Sequence, residues 1–215
     1  MKVGTDAVLL ATLPKFTNVN SVLDIGTGTG VLSLMLAQQF PDAKITAIEL
    51  DAAAASQAAD NFTHSTWAAN LQVIQTDFEA FDSANTYDLI ISNPPFFTAS
   101  LTSEDPAKNR ARHAPANLLD KWIEKSSQLL NENGKIAIIL PESEAEINHL
   151  VALHQLFIDK IIHIHSFENT AVIRQIFVLQ KRNTTTQNSH FHIYKAQNTY
   201  AEAYIEHLKP YLTIF

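Results

Sequence analysis

The stretch that most constrains this chain is VLDIGTGTG, residues 22–30, in which a run of strand-forming residues passes straight into glycines at 26, 28 and 30. The apolar segment VLSLMLAQQF follows at once and carries helical spacing. A strand that turns through glycines into a helix is the opening unit of a parallel sheet, because parallel strands need a long crossover. Glycines at such a turn permit positive φ and let a ligand approach the backbone closely. The spacing is GxGxG; the dinucleotide fingerprint GxGxxG would place glycine at 31, where Val31 stands. Alone, the loop is a weak signal of a ligand site, and its alternative is a tight strand-to-helix turn.

The rest of the chain continues the alternation. Strands are predicted over 19–25, 44–50, 71–76 and 87–92, with helices over 29–40 and 51–62, the latter capped by Asp51. Leu118, Leu119, Trp122, Ile123, Leu129 and Leu130 share one face of a helix over 115–131, and Gly134 is the expected stop. A fifth strand over 135–141, a polar helix over 142–156, and strands over 158–165 and 171–180 come next. A loop over 181–189, a short strand over 190–194 and a closing helix over 199–212 complete the pattern. The expected architecture is α/β, a mostly parallel sheet with helices on both faces. It forms one domain over 1–215, with a short strand-helix addition from about 189.

Composition removes several function classes. The chain has no cysteine, which excludes a disulfide framework, a thiol nucleophile and a thiolate metal site, and fits the cytoplasm. The apolar run AVLLATL near the start is too short to span a bilayer, so neither a signal peptide nor a membrane span is expected. The net charge is -7, unfavourable at first sight for a partner made of phosphates. The charge is uneven, however. Residues 1–100 hold only Lys2, Lys15 and Lys44 as cations against ten carboxylates, whereas residues 101–215 balance twelve of each and hold eight of the nine histidines.

Two acidic residues sharpen the glycine loop. Glu49 ends the second strand, where a carboxylate can accept hydrogen bonds from both hydroxyls of a ribose. Asp77 follows the third strand, where it can accept from an adenine amine while Phe78 covers the ring; as a lone residue it is as well suited to capping a turn. Asp24, just before the loop, is a costly buried charge unless a cationic ligand or several donors meet it. Together these residues imply an adenosine that carries positive charge and no phosphate.

IISNPPFF, residues 90–97, follows the fourth strand. An amide or aryl amine is a poor nucleophile because its lone pair is delocalised, and acceptors aimed at its N–H groups draw that pair out as the nitrogen pyramidalises. Asn93 offers a side-chain oxygen and Pro94 a carbonyl. Pro94 and Pro95 fix the backbone and remove N–H donors from a place that needs acceptors. Phe96 and Phe97 offer aromatic faces for a planar base, and stacking of that kind contributes about 1–3 kcal/mol.

VLDIGTGTG, Glu49 and Asp77 resemble the cofactor site of class I S-adenosylmethionine-dependent methyltransferases, a family with a seven-stranded sheet between helices. The NPPF motif resembles that of enzymes methylating adenine N6, guanine N2 or glutamine amide nitrogen. MKVGTDAVLLA, RARHAPANLL and TYAEAYIEHLKPYLTIF are similar to the valine-tRNA adenine-37 N6-methyltransferases. That resemblance implies S-adenosyl-L-methionine as cofactor, with Thr5 and Asp6, beside Lys2, near its methionine end. It also implies the anticodon stem-loop of a tRNA as partner. Members of that family carry an aromatic-rich lead-in before KVGTD, and here Met1 stands directly before it. In the segment between the NPPF motif and the next helix, Lys108, Arg110, Arg112 and His113 are candidates for holding RNA phosphates while the adenosine leaves its stack. The competing substrates are guanine of ribosomal RNA, adenine of DNA and glutamine in a protein; a nucleotide-binding module or a dinucleotide oxidoreductase is the rival of a different class. His163 and His165 share one strand face, but without a cysteine or a third ligand in view they read as strand surface, and no metal is expected.

Overall fold

The computed structural model describes residues 4–94 and 113–212, with side chains of the second segment described from 118 onward. Nine strands form one sheet: β1 (Ser21–Ile25), β2 (Lys44–Glu49), β3 (Leu71–Gln75), β4 (Tyr87–Ser92), β5 (Leu130–Leu140), β6 (Phe157–Phe167), β7 (Val172–Gln180), β8 (Gln187–Ala196) and β9 (Thr199–Tyr200). Their order is β3-β2-β1-β4-β5-β7-β6-β8-β9. The first seven strands in that order match the expected parallel arrangement, with β7 running antiparallel between β5 and β6. The chain steps outward from β1 to β2 and β3, then returns to lay β4 on the other side of β1. That reversal opens a crevice beyond the carboxyl ends of β1 and β4, the usual ligand position in such sheets.

Helices α1 (Thr5–Thr12), α2 (Val31–Gln39), α3 (Ala52–Thr63) and α6 (Glu202–Leu208) cover one face, and α4 (His113–Leu129) with α5 (Glu144–Leu153) cover the other. The central strands are buried on both faces and so read as unbroken apolar runs rather than alternating ones. Leu9, Leu10, Leu36 and Phe62 pack with Ile91 and Ile164 on the first face. Leu23, Ile90, Trp122, Ile123 and Phe177 pack on the second. Asp51 caps α3 as expected, accepting from the Ala54 N–H at 2.8 Å.

The structure corrects three readings of the sequence. Gly134 does not stop α4: that helix ends at Leu129 and β5 begins at Leu130, so the glycine lies inside the strand. A Cβ there would meet Leu130 Cδ1 at 2.7 Å and the Tyr87 carbonyl at 2.8 Å, beside a register shift between β4 and β5. Close backbone approach, not helix capping, requires glycine here. The short strand expected over 190–194 is longer: β8 begins at Gln187 and runs ten residues in parallel with β6. Its polar opening QNS reads as loop because pairing to β6, a long-range contact, holds it extended. Thr199 and Tyr200 form a short antiparallel strand against β8 before α6 starts, so the closing helix is shorter than its pattern suggests.

Candidate active site

The loop after β1 is built by its glycines. Gly26, Gly28 and Gly30 have φ of 73°, 59° and 85°. The amides of Gly26 and Thr27 donate to the Ile48 carbonyl at 2.9 and 3.1 Å, which lays the loop across the end of β2. Gly26 and Gly30 have different surroundings. Gly26 is exposed and a Cβ on it would meet nothing within 4 Å, so its surface is open to a ligand. At Gly30 a Cβ would lie 2.5 Å from Phe62 Cε1, so this glycine lets α3 approach the loop.

Glu49 stands at the end of β2 and is tied by both oxygens: Oε2 accepts from the Gly28 N–H at 2.8 Å and Oε1 from the Asp51 N–H at 2.9 Å. A carboxylate has about four lone-pair positions, so two stay open for hydroxyls. A carboxylate bonded into the glycine loop also disfavours a pyrophosphate there. Asp77 Oδ1 accepts from the Glu79 N–H at 2.8 Å, the turn-capping role open to it from sequence. Phe78 follows, half-buried, with its ring 6.2 Å from that of Trp122.

Asp24 is wholly buried within β1, between Ala47 and Ile91 of the neighbouring strands. Its Oδ2 accepts from Thr27 Oγ1 at 2.6 Å and Ser33 Oγ at 2.7 Å. Its Oδ1 has no partner among the described residues. Burial pushes the carboxyl from 3.8 up to about 6, against the pull of the Thr27 and Ser33 hydroxyls and with a further push from the negative Glu49. An incompletely satisfied buried carboxyl beneath the loop favours positive charge above it.

Asn93 and Pro94 leave β4 next to this loop, because β1 and β4 pair in register with Ile25 opposite Ser92. Ser92 Oγ donates to the Ile25 carbonyl at 2.7 Å and fastens the two strand ends together. Asn93 is half-buried and Pro94 buried. A cavity of about 370 Å³ takes in Gly26, Glu49, Asp77, Phe78 and Pro94, with Ile48 and Leu50. Its far wall is α4, through Leu118, Lys121, Trp122 and Lys125. Lys121 pairs with Glu79 at 3.2 Å, while Lys125 donates to the Glu79 carbonyl at 2.8 Å and lies 5.4 Å above the Phe78 ring. The lining combines apolar side chains, among them Ile48, Leu50, Phe78, Leu118 and Trp122, with the carboxylates of Glu49 and Asp77. These residues fit an adenosine-bearing sulfonium: an open glycine for close approach, carboxylate lone pairs for hydroxyls, and aromatic and aliphatic faces for the base.

The α4 wall escaped the sequence reading. Periodicity assigned Leu118 to the core face, yet it is 45% exposed and faces the cavity. Helical spacing marks one apolar stripe but does not say whether its edge meets protein or ligand. Thr5 and Asp6 lie outside this lining. Asp6 Oδ2 accepts from Arg174 Nε at 2.8 Å, and Thr5 shares a hydrogen bond with Tyr204. Pro95, Phe96, Phe97, Lys108, Arg110 and Arg112 fall outside the described residues; His113 begins α4, and its side chain also falls outside them. His163 and His165 sit on β6 opposite His190 and His192 of β8; His165 Nε2 lies 2.9 Å from His190 Nδ1.

Strand order, the glycine loop after β1 and the carboxylate ending β2 are those of a class I S-adenosylmethionine-dependent methyltransferase. The chain belongs to the methyltransferase small-domain family, whose profile matches residues 3–160. It is 35% identical over 216 residues to the tRNA1(Val) (adenine(37)-N6)-methyltransferase of Pedobacter heparinus, with 100% of this chain and 92% of that one covered. The protein of the same name from Haemophilus influenzae is 34% identical, covering 100% of this chain and 93% of its own. Among solved structures, a predicted O-methyltransferase from Agrobacterium tumefaciens superposes with a TM-score of 0.69 at 18% identity over 93% of each chain, a likeness of fold.

Proposed function

We propose that this methyltransferase modifies the exocyclic N6 of adenosine in tRNA, at position 37 beside the anticodon of a valine tRNA. The observation that carries the reading is the shared cavity: Pro94, the residue after Asn93, lines the same space as Gly26, Glu49 and Asp77. The similarity to the tRNA1(Val) enzymes over the full length of this chain supports the choice of RNA and position.

When bound, S-adenosylmethionine supplies a methyl group activated by its positive sulfur. The chain's own task is to hold the amine and sharpen its lone pair. The Asn93 side-chain oxygen and the Pro94 carbonyl accept from the two N–H bonds of the adenine amine. Their acceptance strengthens as that nitrogen gains positive charge, so the contribution falls mainly on the transition state. Proline at 94 and 95 stiffens this corner, and Phe96 and Phe97 are assigned to stacking on the adenine. Glu49 holds ribose hydroxyls, Asp77 the cofactor's adenine amine, and Phe78 covers its ring. Gly26 and Gly28 admit the cofactor to the backbone. Asp24 is assigned to favouring positive charge above the loop. Lys108, Arg110, Arg112 and His113 are assigned to anticodon-stem phosphates.

The test is mass spectrometry of nucleosides from unmodified valine tRNA incubated with the protein and S-adenosylmethionine. N6-methyladenosine in the anticodon-loop fragment is the expected product. N2-methylguanosine, or methylation only of DNA or of a glutamine peptide offered in parallel, overturns the substrate assignment and leaves the family unchanged.

A further inference from the structure

The two residues at the opening of α1 are both tied to distant parts of the chain. Asp6 Oδ2 takes a hydrogen bond from Arg174 Nε at 2.8 Å, across 168 residues of sequence. Arg174 Nη1 donates to the Ile173 carbonyl at 2.8 Å, which fixes the plane of the guanidinium. Both partners of the pair are about one-third exposed, so the pair is neither freely solvated nor sealed. Thr5 meets the Tyr204 side chain of α6. Tyr204 in turn stacks on Tyr200 with ring centres 4.8 Å apart, Tyr200 on Tyr194 at 5.1 Å, and Tyr194 lies against Phe167 at 5.6 Å. This aromatic row runs from the end of β6 through β8 and β9 into α6.

The topology makes these ties significant. Strand β7 begins where β5 ends, Gln175 pairing with Leu140, so Arg174 lies on the sheet edge that carries the glycine loop and Asn93. From β4 to β7 is two strand spacings, roughly 10 Å. Helix α1 also packs on α2, the helix that opens from the glycine loop, with Gln39 Nε2 donating to the Ala11 carbonyl at 2.9 Å. The first turn of α1 is weakly secured by its own backbone: its cap, Gly4, offers no side-chain bond, and the Val8 N–H reaches the Gly4 carbonyl only at 3.4 Å. A helix start without a cap frays unless tertiary contacts hold it.

We propose that Arg174 of β7 and Tyr204 of α6 are positioning residues that hold the first turn of α1 at the ligand-binding edge, so that cofactor affinity depends on two side chains distant from the glycine loop. This assigns to Asp6 an action through its place in the fold and its partner, and it rests on the assignment of the α1 start to the cofactor's methionine end. Arg174 supplies both charge and a directed N–H, which a lysine reproduces only in part. The Tyr204 phenol is pushed up to about 12, chiefly by burial, against the pull of the Thr5 hydrogen bond.

The experiment measures S-adenosylhomocysteine affinity by calorimetry and amide exchange over residues 5–12, in the full chain. Arg174→Ala is expected to weaken binding about fivefold or more and to speed exchange in the first turn of α1. Arg174→Lys guards against a folding defect and is expected to recover part of the affinity. Tyr204→Phe keeps the aromatic stack, loses the bond to Thr5, and is expected to weaken binding two- to threefold. The deciding variant exchanges the pair, Asp6→Arg with Arg174→Asp, and is expected to restore affinity to within threefold of the starting protein. Wild-type affinity in Arg174→Ala, or an exchanged pair that stays weak, overturns the proposal. Failure of the tRNA assignment would appear separately, as intact S-adenosylhomocysteine binding without methyl transfer to tRNA.

Discussion

Asp24 places a carboxyl where the fold offers it two hydroxyl donors for one oxygen and none among the described residues for the other. Burial raises it from 3.8 to about 6. Between those values the folded protein keeps a proton that the unfolded chain has released. The stability contributed by this group therefore falls as pH rises through that window, and is level above it. The difference corresponds to about 3 kcal/mol. Asp24→Asn removes the titration, so the variant should gain on the starting protein by up to that amount between pH 4 and pH 7 in urea unfolding. Parallel pH profiles would show that Asp24 is not the source. Positive charge bound above the loop should offset the cost of burying this carboxylate, so the variant is expected to lose cofactor affinity while gaining stability. Gly26 and Gly30 separate in a similar way. Alanine at either costs about 1–2 kcal/mol for its positive φ. At Gly30 the overlap with Phe62 adds to that, so Gly30→Ala should show the larger drop in melting temperature. At Gly26 the added methyl points into open space, and the loss should appear mainly in S-adenosylhomocysteine affinity. Asn93→Ala is expected to lower turnover by orders of magnitude with cofactor affinity nearly unchanged, because its oxygen acts on the amine; an equal loss in both would refute that role.

Among the elements, α4 works on two sides. Leu119 and Ile123 are buried in the second core, while Leu118, Lys121 and Lys125 face the cavity. Leu118→Asn should therefore weaken S-adenosylhomocysteine several-fold with little change in melting temperature, whereas Ile123→Ala should lower stability by about 2–5 kcal/mol. A Leu118 variant that loses stability instead of affinity would return that residue to the core. The same helix shows the limits of periodicity. The apolar stripe was legible, and so were the central strands β1, β2, β4 and β7, because burial on both faces writes itself as continuous apolar runs. Gly134 misled because a glycine after an apolar helix resembles a stop, and only the approach of Tyr87 and Leu130 shows what it serves. The start of β8 and the pair in β9 were hidden because their extended form comes from neighbours distant in sequence.

Over the whole molecule, a chain of net charge -7 must present its cations locally if it is to hold RNA. Replacing Arg110 and Arg112 with alanine should weaken tRNA binding and flatten its dependence on salt, with each lost phosphate contact reducing the slope by about 0.7–0.9. Unchanged slope would remove them from the interface. Ligand linkage tests the cofactor: S-adenosylhomocysteine at a hundred times its dissociation constant should stabilise the protein by about 2.7 kcal/mol, and NAD should not. Among the described residues, no helix is long and apolar enough to cross a membrane and no group of three or more ligating side chains could hold a metal ion.

From the sequence alone came the glycine loop, the acidic strand ends and the exit of Asn93 and Pro94 from β4, because each depends on residues adjacent in the chain and on the geometry that glycine and proline impose locally. The helix wall opposite Phe78, the incomplete bonding of Asp24 and the ties from Arg174 and Tyr204 to the start of α1 were decided by the tertiary structure. Each joins groups brought together only when the sheet orders its strands, and no local pattern records which neighbour a side chain will meet.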